Sequence, residues 1–359
     1  MNFDFTDDQQ AIKRTAHDFL AARYRPEEVR RLAEDERGFT DEQWSQIAEL
    51  GWPGLVVDEE HDGLGLGLVE LVVIQEELGQ ALAPTPFFSD AAAALLLQAG
   101  GSEEQKAELL APLARGEQRG TVAVWDADGG WAPDDSRLDG ADGTLKGTKI
   151  AVPDAGSADW IIVSGAEGRH YLVRTAEDGV RVEATPGIDT TRKLFSVHLD
   201  GAAAHELPGG AEDVAYAYHG IDTALAAESV GVAQRALEMA VEYANDRKQF
   251  GRPIGAYQAV SHRCAQMLLE IEGARSLAYY AGWAFDHEPE SAALAASMAK
   301  AYASEAGWRV TASSLQVHGG IGFTWEHDLH FFLKRAKANA HAFGDARWHR
   351  ARVADLAGV

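Results

Sequence analysis

The chain is 359 residues long and 46% hydrophobic, which provides cores for two or three domains and excludes general disorder. Its 56 acidic against 32 basic side chains leave a formal net charge of −24. That field repels phosphate backbones and anionic lipid, so neither nucleic acid nor a membrane face is expected as a partner. A single cysteine, Cys264, excludes an internal disulfide and fits a reducing compartment; with no signal-like start and no apolar run of membrane-spanning length, a cytoplasmic location is expected.

Residues 1–117 read as a helical domain. Three capping boxes announce helix starts, at Thr6 with Gln9, Thr40 with Gln43 and Ser102 with Gln105, each followed by apolar residues at helical spacing. Gly63 to Gly67 form a glycine-rich turn, and Pro84 and Pro86 break the helical pattern after it. Residues 118–209 change to short β-like runs: Thr121–Val124, Trp160–Val163, Tyr171–Val173 and Leu194–Val197, punctuated by Gly129-Gly130, Asp142-Gly143 and Asp178-Gly179. No long helix intervenes, so an antiparallel, barrel-like β domain is expected rather than a parallel sheet with crossovers. Residues 210–359 return to long Ala-rich amphipathic segments near Val214–Asn245, Tyr257–Asp286, Glu290–Gln316 and Leu329–Ala342, the pattern of a four-helix bundle. The expected fold class is therefore α+β, in the order α, β, α.

Two elements of the last region carry chemistry. Arg247-Lys248-Gln249-Phe250-Gly251-Arg252-Pro253, followed by Gln258, brings a fixed cation, a flat aromatic face and backbone groups to a turn after a helix. That set suits a pyrophosphate beside an adenine, with the guanidinium as clamp and the ring as stacking surface. Taken alone, it also describes an ordinary helix C-terminus with basic residues near its dipole. The second element is Gln316-Val317-His318-Gly319-Gly320-Ile321-Gly322, where glycines permit close approach of backbone to a ligand. Five histidines, His318, His327, His330, His341 and His349, lie near the C-terminus; without further ligands at fixed geometry they read as polar helix surface, and no metal site is expected. Arg335, Lys337, Arg347 and Arg350 form a basic patch open to two readings, a phosphate contact or a solvated helix face.

The chain resembles an acyl-CoA dehydrogenase over nearly its whole length. The resemblance rests on the α–β–α order, on Gly231-Val232-Ala233-Gln234-Arg235-Ala236-Leu237, on Tyr243 to Gly251, and on Gln316 to Gly322. It implies FAD as cofactor, an acyl-CoA substrate dehydrogenated to the 2-enoyl-CoA, a carboxylate base, and an electron-transfer flavoprotein as acceptor. It further implies that Arg247, Phe250, Gln258, Gln316, Gly319 and Gly320 reach the adenine and pyrophosphate of FAD held by a neighbouring subunit.

The sequence departs from the family where that resemblance would place the flavin ring and the base. The first ring-holding motif falls on Val124-Trp125-Asp126-Ala127-Asp128-Gly129-Gly130. The second falls on Ala151-Val152-Pro153 after Lys149, which offers neither an aromatic ring nor a hydroxyl, and Pro153 has no N–H to donate. The two family positions for the base fall on Phe343 and Ile221. Asp345 and Asp222 stand close by, and each also reads as a helix-cap or surface aspartate. Groups for a subunit's own flavin ring are thus degraded while groups for a neighbour's FAD are kept. This resembles the small subunit of bacterial heteromeric acyl-CoA dehydrogenases. The expectation is an FAD-dependent acyl-CoA dehydrogenase component in a homo-oligomer or a heterotetramer with a second acyl-CoA dehydrogenase subunit, with Asp345 or Asp222 as base. Alternatives are a non-catalytic subunit completing a partner's FAD site, and a related flavoprotein oxidase or monooxygenase.

Overall fold

The computed structural model describes residues 5–127, 129–130, 135–140 and 142–359. All three capping boxes close, opening α1 (Asp7–Arg23), α3 (Asp41–Glu49) and α6 (Glu103–Ala114). In the first, Gln9 N–H donates to Thr6 Oγ1 at 3.2 Å and Thr6 N–H to Gln9 Oε1 at 3.0 Å, so two otherwise orphaned amides are satisfied reciprocally. Between these helices lie α2 (Pro26–Glu34), α4 (Leu68–Ala81) and α5 (Phe87–Gly100). No helix among the described residues is long and apolar enough to cross a membrane.

The strands are β1 (Gly120–Ala123), β2 (Trp125–Asp126), β3 (Thr144–Pro153), β4 (Trp160–Ser164), β5 (His170–Arg174), β6 (Val180–Thr185), β7 (Leu194–Ala203) and β8 (His205–Glu206). They form two four-stranded sheets, ordered β1-β4-β5-β8 and β2-β3-β7-β6. Inward side chains of both, among them Val152, Ile161, Val163, Tyr171, Val197 and Leu199, build one core. Pairing is antiparallel as expected except between β1 and β4, which run parallel from Gly120 opposite Trp160 to Ala123 opposite Val163. The chain visits the other sheet between these two strands, and that long excursion supplies the crossover a parallel pair requires. Strands β3 and β6 were not evident from composition: Gly147 and four polar residues dilute β3, and β6 is only half-buried.

Two compact units result, one of Met1–Arg30, Val69–Ala83 and Asp222–Val359, the other of Arg31–Leu68 and Pro84–Ile221. In the first, α4 crosses α7 (Ala211–Asp246) at glycines. A Cβ on Gly79 would lie 2.2 Å from the Glu228 carbonyl oxygen, and one on Gly231 would lie 1.9 Å from that of Glu76, so neither position tolerates a side chain. Beyond α7 come α8 (Gln258–His287), α9 (Pro289–His318), α10 (Leu329–Asn339) and α11 (Ala346–Ala357). The expected four helices are present. The fourth stops three residues early, at Asn339, and a fifth follows it, begun by the Asp345 side chain accepting from Trp348 N–H at 2.8 Å. Arg335 is not part of a surface patch: it is buried in an ion pair with Glu228 at 2.7 Å, and Asn339 donates to the same carboxylate at 3.0 Å.

In the second unit, α7 is tied to the sheet by a buried hydrogen-bonded group. His170 Nε2 lies 2.9 Å from Tyr218 Oη and 3.2 Å from Ser164 Oγ, while Nδ1 lies 2.9 Å from the Gly168 carbonyl. This arrangement fits a neutral ring with its proton on Nδ1, donating to Gly168, and Nε2 accepting from a hydroxyl. Burial pushes the His170 pKa down from 6.5 to about 4. The unfolded chain therefore takes up the proton first on acidification, so the stability this neutral ring secures is complete above 6.5 and is lost as pH falls toward 4, on the order of 3 kcal/mol in all. Equilibrium denaturation between pH 4 and 7 should show this loss, and His170→Gln should flatten it; an unchanged acid limb in the variant would remove His170 from the account.

Candidate functional site

The helix α7 ends at Asp246 and passes into a two-residue hairpin, β9 (Lys248–Gln249) with β10 (Arg252–Pro253), registered Gln249 opposite Arg252. The turn residues are Phe250 and Gly251, at φ +53° and +81°. Two successive positive φ values are what a tight hairpin of this type demands; Gly251 adopts one freely, whereas Phe250 does so at a cost on the order of 1 kcal/mol. The strained ring is also 94% exposed. Pro253 pairs with Lys248 in the hairpin, and Phe250 and Gly251 take its tip. Arg247 and Gln258 are both exposed, the latter opening α8, and the junction is braced by Tyr257 Oη donating to the Gln249 carbonyl at 3.0 Å and by Arg252 over the Tyr257 ring at 4.2 Å.

The second element lies at the end of α9. Gln316 is exposed, Gly319 takes φ +62° as the helix stops, and a 3-10 turn over Gly319–Phe323 follows. A Cβ on Gly319 or Gly320 would meet nothing within 4 Å, so no packing within the chain excludes side chains at these two positions; the face they leave is open to an external group. The hairpin and this turn are coupled through the ends of their helices: Tyr243 stacks on His318 with ring centroids 4.8 Å apart, and Ser314 Oγ donates to the Ala236 carbonyl at 2.7 Å. Thus His318 is a buried structural ring rather than surface polarity, and so is His349.

Asp222 and Asp345 come together at a different place, around a lysine that sequence reasoning missed. Lys300 on α9 is wholly buried and donates to Ser304 Oγ at 3.1 Å, the Asn339 carbonyl at 3.0 Å and the Gly344 carbonyl at 3.0 Å. It thereby anchors the turn between α10 and α11, where Phe343 and Gly344 both have positive φ, +54° and +97°. His349 Nε2 donates to the Phe343 carbonyl at 2.9 Å and lies 3.9 Å from Asp222 Oδ1. Burial, together with the Lys300 charge, pushes the imidazole down to about 3, so it is neutral and its approach to Asp222 is no ion pair. Burial raises the Asp222 carboxyl to about 7 and Lys300 pulls it back; burial likewise lowers Lys300 to about 8 against the pull of Asp222. Asp222 is 3% exposed, and Asp345 is engaged as the cap of α11. A lone lysine in the Ala-rich run Ala295 to Ala303 was the available signal for Lys300.

The segments that resemblance assigns to a flavin ring are instead fastened to each other. Lys149, fully buried on β3, lies 2.7 Å from Asp126 Oδ1 on β2 and donates to the Val124 carbonyl and to Ser136 Oγ, each at 2.8 Å. The strand bulges between Lys149 and Val152, with Ala151 at φ +53°. Trp125 is half-buried beside Ile150, and Asp128 lies outside the described residues. Backbone and polar groups near an isoalloxazine's edge are needed to hold it; here Val124 and Asp126 are consumed by Lys149, and Ala151 presents a methyl group. This set does not fit the ring, whereas the hairpin and the Gly319-Gly320 face stay open.

Comparison with known proteins agrees with this architecture. Residues 6–117 match the family model described as acyl-CoA dehydrogenase, N-terminal domain, and residues 223–357 match acyl-CoA dehydrogenase, C-terminal domain. Acyl-CoA dehydrogenase IpdE2 of Mycolicibacterium smegmatis is 32% identical over 346 residues, covering 95% of this chain and 96% of that one. The chain belongs to the acyl-CoA dehydrogenase family, whose members are FAD-dependent flavoproteins. Among solved structures, the ChsE4–ChsE5 complex from Mycobacterium tuberculosis matches with TM-score 0.91 and 28% identity, over 100% of this chain and 99% of that one. A variant of the Tcur3481–Tcur3483 steroid ACAD matches with TM-score 0.89 and 29% identity, over 98% of each chain.

The buried charge pair yields a direct test. Asp222→Asn removes the carboxyl whose charge acts on the buried Lys300 ammonium and should cost about 1–3 kcal/mol of stability. Lys300→Met should itself cost stability, because the Asn339 and Gly344 carbonyls lose their donor, and the double variant should lose less than the sum of the two single variants. Chemical denaturation of the single and double variants measures this, and strict additivity would contradict the shared charge.

Proposed function

We propose that the chain is one subunit of an FAD-dependent acyl-CoA dehydrogenase assembly, working beside a second, unlike subunit that holds the flavin ring and the catalytic base. In this reading Arg247, Phe250, Gln258, Gln316, Gly319 and Gly320 grip the adenine and pyrophosphate half of the partner's FAD. The observation that carries it is the outward, strained display of Phe250 while β2 and β3 are closed by Lys149 and Asp126. Strain and exposure of a large aromatic both oppose folding of the isolated chain, and they are repaid when an adenine covers the ring. Arg247, Lys248 and Arg252 concentrate positive charge at the hairpin of a chain whose net charge is −24, which a diphosphate needs in order to approach. Bound FAD supplies the acceptor for the β-hydride of an acyl-CoA, leaving a 2-enoyl-CoA, with an electron-transfer flavoprotein as the onward acceptor. The solved relatives whose names record two components, ChsE4–ChsE5 and Tcur3481–Tcur3483, support a two-chain assembly, and the steroid named in the second supports a steroid-derived acyl group.

A second reading, catalysis by this chain, is favoured by one observation, the Asp222 carboxyl raised to about 7, near where a general base is most effective. Its near-complete burial, with the Lys300 charge acting on it, speaks for a structural part, and Asp345 is committed to its helix. In the assembled enzyme, assayed where it stays folded, Asp222→Asn and Asp345→Asn should each leave kcat within about tenfold, whereas loss of a base costs about 10²–10⁴.

Phe250→Asn separates function from stability. An Asn-Gly pair is the preferred occupant of this turn, so the variant should melt no lower than the parent, yet FAD retention by the assembly should fall at least about tenfold. Arg247→Ala should do the same through the pyrophosphate. Equilibrium dialysis of the assembly against FAD checks both; retention unchanged in both variants would contradict the clamp.

A further inference from the structure

A second site is built within the second unit, in the segment that follows α3 in the chain. Asp58, Glu60 and His61 belong to a 3-10 turn at Glu59–His61 whose backbone closes on itself: His61 N–H and Gly63 N–H both donate to the Asp58 carbonyl, at 3.0 and 3.1 Å. Gln98 of α5 staples the turn, accepting from Asp58 N–H at 2.8 Å and donating to the Val56 carbonyl at 2.8 Å. Gly63 is wedged so tightly that a Cβ would lie 1.9 Å from the Val57 carbonyl oxygen. The neighbouring carboxylate, Asp62, is taken by Arg115.

One donor atom of each of Asp58, Glu60 and His61 lies within 4.8 Å of the others. Exposed carboxylates alone signify nothing, but His61 is different: the residue is only 9% exposed, and its Nδ1 has no hydrogen-bond partner. That nitrogen faces the cluster, 3.9 Å from Glu60 Oε1. A buried imidazole nitrogen left unpaired loses a hydrogen bond's worth of solvation, and a ligand at this point recovers it.

We propose that Asp58, Glu60 and His61 form a divalent transition-metal site, with Zn²⁺ the best-suited ion. One imidazole and two carboxylates match the borderline-soft preference of zinc, whereas calcium and magnesium take all-oxygen sets. Ligands at about 2.0–2.2 Å in a tetrahedron stand roughly 3.4 Å apart, so the buried ring supplies the fixed donor and the two exposed carboxylates close onto it by rotamer change. Three protein ligands leave a fourth position for water. The site is independent of the nucleotide clamp and needs no electron transfer.

The test uses the full chain and Co²⁺ as a spectroscopic probe of the zinc site. Titration should give one tetrahedral Co²⁺ per chain, displaced by Zn²⁺, and Zn²⁺ should raise the melting temperature. Asp58→Asn with Glu60→Gln, both on exposed side chains, should weaken binding at least tenfold without altering the metal-free melt; His61→Phe should abolish it. Because the surface double variant keeps the core intact, it decides the matter even if His61→Phe fails to fold. Absence of saturable binding at 100-fold excess Co²⁺, or binding indifferent to the double variant and so lodged on other histidines, would overturn the site.

Discussion

A large aromatic side chain held at a positive φ and almost wholly in solvent is the constraint from which the functional reading follows. Phe250 gains nothing from its own chain, because a two-residue hairpin tip has no neighbours to bury it against. The hairpin that imposes this is itself well determined: Ile254 N–H donates to the Arg247 carbonyl at 2.8 Å, and Tyr257 locks the Gln249 carbonyl. The backbone is therefore made rigid to hold an unfavourable display in place, an arrangement that suits a preformed ligand surface, since little ordering remains to be done on binding.

The β domain carries the opposite design. Lys149 brings a full charge to zero exposure, and its ammonium reaches an acceptor on each side of β2. Burial costs enough to push its pKa down to about 8, and the Asp126 carboxylate offsets part of that. Such an ion pair is modest evidence for stability, because desolvation takes back most of the Coulomb gain, but it is strong evidence that the groups involved are not available to a cofactor. In the first unit, Lys300 is used in the same way, as a buried ammonium that collects the carbonyls of a strained turn. Both lysines stand close to places where family resemblance puts flavin or base, and at each the surrounding polar groups are satisfied from within the chain.

Much of the fold was legible because its signals are local. Capping boxes at Thr6, Thr40 and Ser102 close as written, since each needs only four consecutive residues. The long helices follow from Ala-rich periodicity, and Arg247, Phe250 and Gln316 were evident as motif residues. What stayed hidden depends on contacts remote in sequence. The parallel pairing of β1 with β4 is fixed by topology, and β3 is held by its partners on both sides despite Gly147. The burial of Lys300, His349 and Arg335 is set by helix packing over long separations; in the sequence they look like surface polar residues. The unpaired His61 nitrogen is likewise invisible without the loop that folds over it.

Flavin stoichiometry tests the division of labour most directly. The chain should purify alone without FAD, and the assembly with its unlike subunit should hold FAD in a cleft closed by residues of both chains. The isolated chain binding one FAD per copy and reducing it with acyl-CoA would contradict the account.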